Sequence, residues 1–589
     1  MGNGSRLSPA GYGRLMLLVA GLGGLLYGID VGIIGGALPY LEATSHLTRG
    51  QISIIVASVL LGSVFSTLFA GLLADWMGRK PLMLLSGVAF SVSVPIIALS
   101  QGFVPLFMGR LLQGVSGGLV GVVVPLYLAE CLSAKVRGKG TGIFQWLLTL
   151  GIFVAALIGI YTSYHVAGIA KTASADALFA AKDSAWRSIF WMSLPPGLLF
   201  VITAFFISES PRWLFQRGRI GEARAALERS RTRDQAAVEI EEMQETSAQG
   251  KRGVAYKGPL LSRRYVIPFL LACVILICNT ATGINSVIGF NVDILIQSGL
   301  SDVLAHWGYV LFTFMNFLMT VVGLQLVDRK GRRLLLIIGT SGVIVSLAAV
   351  GTLFLRTEKG RYDARDAVQR LVINGDSLSL KFDPAVPPQL GAPIVNGQQS
   401  LAIIYSYGDF TSSTKPILLG DAEPAAIDRA GSIPSSKVAA FFQNPFANLD
   451  AARTAPLKIE HAYITRVPST TNGWMVAFCL YAFVSFFAMG PGVCVWLALS
   501  ELMPTRIRSN GMSVALVLNQ MVSTTLAAIF LPVVGKYGYS TMFYLFAGFT
   551  VVYLITAAFF LPETKGKTLE EIERLFDTTD RQEASPITS

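Results

Sequence analysis

The chain has 589 residues, 52% of them hydrophobic and 14% charged, with a mean hydropathy of +0.57. That balance excludes an ordinary soluble domain and a disordered chain, and it marks an integral membrane protein. The formal charge of +11 is concentrated in short loops between apolar runs, so it sets topology and does not signal a nucleic-acid surface.

Twelve apolar runs are long enough to cross a bilayer: 15–41, 52–74, 81–100, 104–130, 140–164, 187–208, 265–297, 304–327, 334–355, 474–500, 510–534 and 540–561. The first carries an acid, Asp30, at its middle. Gly24, Gly28, Gly32 and Gly36 recur every four residues, a small-residue stripe that a neighbouring helix can approach closely, and Asp30 points away from it. A carboxylate facing lipid at that depth is costly, so Asp30 is expected to face a polar cavity, where it can bind a proton. The plainer reading is a structural ion pair with a basic group.

Basic clusters fall in alternate loops: Arg79-Lys80, Lys135 to Lys139, Arg329 to Arg333 and Arg506 to Arg508. The positive-inside rule makes those loops and both termini cytoplasmic, with loops 42–51, 298–303 and 535–539 outside. Cys131, Cys273, Cys278, Cys479 and Cys494 lie in or beside apolar runs at no metal-ligand spacing, which predicts small core residues and no metal site. No cleavable signal precedes the first run.

The chain repeats itself. Asp75, Gly78, Arg79 and Lys80 return as Asp328, Gly331, Arg332 and Arg333, each set between the second and third runs of six. Glu130, seven residues before Arg137, returns as Glu501, seven before Arg508. Glu209, with Ser210, Pro211 and Arg212, is echoed by Pro562, Glu563, Thr564 and Lys565 after the last run. The pattern predicts two six-helix halves related by duplication, an architecture suited to alternating access around a mid-membrane site. Asp75, Arg79, Glu130, Arg137, Glu209, Arg212, Asp328, Arg332, Glu501 and Arg508 are the expected cytoplasmic latch, acids pairing with arginines across the halves.

The expected organisation is an N-terminal half (1–208), a cytoplasmic linker of short amphipathic helices bracing both halves (209–263), the start of the second half (264–355), an insertion (356–472), the rest of that half (473–562) and a cytoplasmic tail (563–589). The insertion is polar and rich in Pro and Gly, with strand-like pieces at 377–382 and 401–407, so an irregular, partly β external cap is predicted. It has neither cysteine nor a glycosylation sequon.

These motifs resemble the sugar porter family of the major facilitator superfamily over nearly all of the chain except the insertion. The resemblance rests on Gly24 to Asp30, Asp75 to Lys80, Arg110 with Gln113-Gly114, Glu130 with Arg137-Gly138, Glu209 to Leu214, Gly283-Ile284-Asn285, Val327 to Arg333, Gly490-Pro491-Gly492 with Trp496 and Glu501, and Pro562 to Gly566. It implies an all-α membrane protein of twelve helices. Proton-coupled members of the family carry an acid matching Asp30 and an arginine matching Arg110, so the resemblance implies proton coupling at that pair. An adjacent guanidinium favours the charged carboxylate and its withdrawal favours proton uptake.

The resemblance also implies sugar contacts at Gln145, Asn285, Asn316, Trp496 and Gln520, amides for hydroxyls and an aromatic face for the ring. Read alone, each of these is equally a helix–helix hydrogen bond. The pattern departs from the family where two glutamines become Asn279 and Thr280, two tyrosines become Gly289 and Phe290, and an aromatic becomes Met521. A reshaped pocket is expected, with Tyr27 and Phe290 supplying aromatic surface. The expected function is uptake of a sugar or polyol with a proton by a single chain in a plasma membrane, bacterial inner membrane in type. A passive facilitator and a non-transporting sugar sensor stand as alternatives. No nucleophile–base pair or nucleotide-binding loop is present, so neither an enzyme nor a cofactor is expected.

Overall fold

The protein is described by a computed structural model covering residues 8–132, 134–252, 263–393, 398–421, 424–434, 437, 440, 444, 447–503 and 508–563, with side chains for all of these but 10, 134–142, 245–252, 263–264, 328, 496–501 and 508–510. Among the described residues, twelve helices are long and apolar enough to span a membrane: Gly11–Thr44, Arg49–Met77, Arg79–Ala98, Phe103–Cys131, Ile143–Ala170, Ala175–Phe206, Tyr265–Gly289, Asp302–Val327, Arg332–Glu358, Thr470–Val495, Gly511–Tyr537 and Tyr539–Phe560. Each apolar run of the sequence has its helix.

Packing repeats with a shift of six. The first span packs on the fifth, the second on the fourth and the third on the sixth; likewise the seventh packs on the eleventh, the eighth on the tenth and the ninth on the twelfth. Between the halves, the second span meets the eleventh and the fifth meets the eighth. Adding six to one pair and subtracting six from its partner turns either contact into the other, which is the mark of a pseudo-twofold arrangement.

Close helix approach follows from glycine. A Cβ at Gly28 would strike the Leu148 carbonyl and one at Gly114 the Val59 carbonyl, so these positions set how near the first and fifth, and the second and fourth, spans can lie. The seventh apolar run, continuous in sequence, is broken in structure. Its helix stops at Ala281, Gly283 adopts φ +82° with its α-carbon against the Phe546 ring, and short helices Ile284–Gly289 and Asn291–Gln297 follow. The tenth is interrupted at Gly490-Pro491, between Thr470–Met489 and Pro491–Leu502. The sixth helix starts at Ala175, well before the apolar run, because Ser174 accepts from the Ala177 N–H and Asp176 sits in the first turn.

The linker helices Pro211–Gln216, Ile220–Glu228 and Arg233–Arg252 share a small core around Trp213, Leu227 and Ile240. Their described side-chain hydrogen bonds reach the N-terminal half. Arg217, Arg229 and Arg231 donate to the carbonyls of Asp75 (2.8 Å), Phe206 (3.0 Å) and Cys131 (3.1 Å), the C-terminal ends of the second, sixth and fourth spans. Carbonyls left without intrahelical partners there attract cations.

The insertion is a folded β unit with its own core, including Phe382, Leu401, Tyr407 and Ile459. Its sheet runs Tyr362–Asp363, Leu457–Arg466, Gln399–Tyr407, Phe410–Ser413, all antiparallel, with Ile417–Leu418 also paired to Gln399–Tyr407. A separate pair joins Leu378–Leu380 to Ala425–Ile427. Of the strand-like stretches read from sequence, 401–407 lies within Gln399–Tyr407, and 377–382 contains the shorter strand Leu378–Leu380.

Candidate functional site

Asp30 and Arg110 are each 1% exposed, inside the N-terminal half and away from any lipid-facing surface. The Arg110 Nη1 lies 3.7 Å from Asp30 Oδ1 and donates to Gln113 Oε1 at 2.7 Å, while the guanidinium stacks 5.6 Å from the Phe190 ring. Neither Asp30 oxygen makes a hydrogen bond among the described residues. The site depends on Gly117, where a Cβ would lie 3.0 Å from Asp30 Oδ2 and 3.2 Å from the Tyr27 ring, so glycine there lets the fourth span close on both. A buried carboxyl with one cation at 3.7 Å and no donor is an expensive arrangement, and removing charge from it relieves that cost.

Tyr27 is within hydrogen-bonding reach of Gln520, which brings the first span to the eleventh at one of the predicted sugar residues. On the seventh span, Thr280 accepts from Asn519 Nδ2 at 2.5 Å and Asn285 Nδ2 donates to Ser523 Oγ at 2.7 Å. Asn279 is buried, and its Oδ1 makes no hydrogen bond among the described residues. Gln145 and Asn316 flank the seam of the fifth and eighth spans, where their chain neighbours Trp146 and Phe317 meet at 5.6 Å. Phe290 is placed elsewhere: it is fully buried and stacks on Phe530 of the eleventh span at 4.5 Å, inside the C-terminal half, and offers no free ring. Asn519 and Ser523 were not singled out from sequence. Their four-residue spacing, on one face of a helix that also bears Gln520, is the signal that finds them.

On the insertion face the halves are closed. One apolar cluster there combines Ile34 and Val56 of the first half with Ile288 and Phe530 of the second. Hydrogen bonds cross it from Tyr40 and Ser163 to Asp302 Oδ2 (2.8 and 2.6 Å), from Tyr309 to the Gly32 carbonyl (2.8 Å) and from the Leu531 N–H to Ser53 (3.2 Å). On the linker face the apolar clusters are separate, one within each half.

The expected latch residues on the linker face pair inside a half. Arg79 reaches Glu130 Oε1 at 2.8 Å and Asp75 Oδ1 at 3.1 Å, and Ser210 donates to Glu130 Oε2 at 2.5 Å. Glu209 accepts the backbone N–H of Arg79 (2.9 Å) and Lys80 (3.2 Å), as Glu563 accepts those of Arg332 (3.1 Å) and Arg333 (3.2 Å). Gly78 at φ +101° and Gly331 at φ +88° make room, since a Cβ on either would enter the glutamate carboxylate. Arg212 is exposed. The side chains of Arg137, Asp328, Trp496, Glu501 and Arg508 lie outside the described residues, as do Thr564 to Gly566.

Twelve spans in two duplicated halves, closed on one face and separate on the other, define a secondary transporter. The chain belongs to the family described as Sugar (and other) transporter, whose model matches residues 16–373 and 455–576 and omits most of the insertion. It is a multi-pass membrane protein with the major facilitator superfamily fold, a sugar porter and not an enzyme. It is 27% identical over 578 residues to the human proton myo-inositol cotransporter, covering 96% of this chain and 82% of that protein. It is 26% identical to the glucose transporter GlcP of Staphylococcus epidermidis, covering 95% and 96%. Among solved structures, the partially occluded inward open form of the E. coli xylose transporter XylE matches with a TM-score of 0.62 at 18% identity, covering 94% of this chain and 100% of that one.

Proposed function

We propose that this protein imports a sugar or cyclic polyol together with a proton by alternating access. The observation that carries the reading is the Asp30 carboxyl, buried without a hydrogen-bond donor among the described residues and 3.7 Å from Arg110, with Tyr27 beside it at Gly117 and within reach of Gln520. As the fourth span approaches or withdraws, Arg110 favours release or uptake of the Asp30 proton, and Tyr27 passes that change to the substrate site. A proton bound equally in both states would drive nothing, so the coupling lies in the different Asp30–Arg110 separation of the two states.

Substrate hydroxyls are held by Gln145, Asn279, Thr280, Asn285, Asn316 and Gln520, with Tyr27 and Trp496 against the ring. Asn519 and Ser523 orient Thr280 and Asn285 from behind. The names of the relatives, a myo-inositol cotransporter among them, support a polyhydroxylated ring as cargo. Asn279 and Gly289 in place of longer side chains favour one bulkier than a pentose. The basic loops support a cytoplasmic linker and cytoplasmic termini with the insertion outside, which makes the closed face the outer one; a bacterial inner membrane and a single functional chain complete the reading.

The test is uptake by proteoliposomes under an inward proton gradient, screened across inositols, hexoses, pentoses and disaccharides. Accumulation above equilibrium that collapses with a protonophore supports symport. Equilibration alone identifies a facilitator, and binding without counterflow identifies a sensor.

A further inference from the structure

The insertion leaves the chain between the ninth and tenth spans, inside the C-terminal half, yet its hairpin end at 410–415 does not rest on that half alone. Thr411, Ser412 and Ser413 line a crevice with Arg49 and Gly50, at the start of the second span, and with Pro532 and Lys536 of the eleventh. Ser413 sits so close to the eleventh span that a Cβ at Gly535 would lie 2.8 Å from its Oγ. The hairpin therefore spans the seam at which the halves meet on the closed face.

Charge is buried at the same seam. Glu42 and Arg49 come from the N-terminal half, Asp293 and Tyr539 from the C-terminal half, and each is less than a tenth exposed. Tyr539 donates to Asp293 Oδ2 at 2.5 Å, while Arg49 Nε and Nη2 and Glu42 Oε1 make no hydrogen bond among the described residues. Lys415 enters this group from the insertion. Burial pushes its ammonium below the ordinary lysine value, and Glu42 is the strongest of the charges opposing that shift, with Arg49, Asp293 and Lys182 also in range. Lys415 is only partly buried, at the rim of this group, and the largest favourable charge in its range belongs to the opposite half.

We propose that the insertion is a strap across the closed gate: rooted in the C-terminal half, its hairpin grips the N-terminal half through Lys415 at Glu42 and through the Ser412 edge at Arg49, and holds that face shut. Opening the face separates the second span from the eleventh, so the hairpin must let go of one half. Lys415 thereby sets how much of the time the gate is open. The inference rests on the alternating-access reading.

The test uses the full chain in nanodiscs, with spin labels on Ser184 and Thr541, exposed positions on opposite halves of this face, after replacement of the five native cysteines. Wild type is expected to show a dominant short distance and a minor long one that exchange on adding substrate or changing pH; a single fixed distance defeats alternating access itself. With exchange present, Lys415→Met is expected to raise the long-distance fraction roughly tenfold, Lys415→Glu further, and Lys415→Arg to leave it near wild type. Wild-type distributions in both Lys415→Met and Lys415→Glu overturn the strap. A Gly50→Cys, Ser412→Cys cross-link guards against misfolded variants: it is expected to arrest transport until reduced, and a cross-linked protein that transports normally also overturns the proposal.

Discussion

Replacing Glu209 with alanine gives the sharpest test of how each half is built. The carboxylate accepts the backbone N–H of Arg79, Lys80 and Ser210 at 2.9, 3.2 and 2.7 Å, and the first two open the third span. Each amide left without an acceptor costs about 1–3 kcal/mol where water is excluded, and Glu209 is only half-buried, so about 2–4 kcal/mol is expected in all. If a six-helix half unfolds as a unit, that is a fall in Tm of roughly 5–10 °C, read by intrinsic fluorescence of the purified protein. Glu209→Gln keeps one acceptor oxygen and loses about half as much. Glu563→Ala is expected to match Glu209→Ala within about a factor of two, because it caps Arg332 and Arg333 at 3.1 and 3.2 Å. A Glu209→Ala protein that melts within about 1 °C of wild type refutes the capping role.

Gly283→Ala places a Cβ at φ +82° against the Phe546 ring, so well-folded protein is expected to fall severalfold on size-exclusion chromatography, with partial recovery in Gly283→Ala/Phe546→Ala. Asn519→Leu removes the donor to Thr280, and transport is expected to show a severalfold higher KM with Vmax within about twofold, since the loss falls on substrate binding. Gly117→Ala crowds Asp30 and Tyr27 together; its expected signature is loss of proton-driven accumulation with counterflow retained. Arg217→Ala uncaps two carbonyls at an exposed site and is expected to cost about 1 kcal/mol or less, seen as a Tm shift of a few degrees at most.

Hydropathy made the twelve spans legible because length and apolarity are what a bilayer demands of a helix. Duplicate charged motifs made the two halves legible, and the structure explains why they recur: Gly78 with Glu209 and Gly331 with Glu563 are the same cap built twice. The broken seventh helix was not legible, since the sign of φ at Gly283 leaves no mark on an apolar run. The linker's charge pattern reveals amphipathic helices without naming the surface they cover; helix-end carbonyls, which no side-chain pattern encodes, attract Arg217, Arg229 and Arg231. Phe290 read as pocket surface from its place after the Gly-Ile-Asn motif. A partner 240 residues away, Phe530, takes its ring into the gate. The buried Glu42, Arg49 and Asp293 were passed over because each lies at the edge of an apolar run, where a charge reads as a boundary.

The coupling of substrate to protons through Asp30 is tested most directly by the pH of a lightly buffered medium around energised proteoliposomes when a substrate found by the uptake screen is added. Wild type is expected to alkalinise the medium, while Asp30→Asn leaves it unchanged and still exchanges labelled substrate across the membrane. Alkalinisation by Asp30→Asn equal to wild type, or none by wild type during active uptake, contradicts the account.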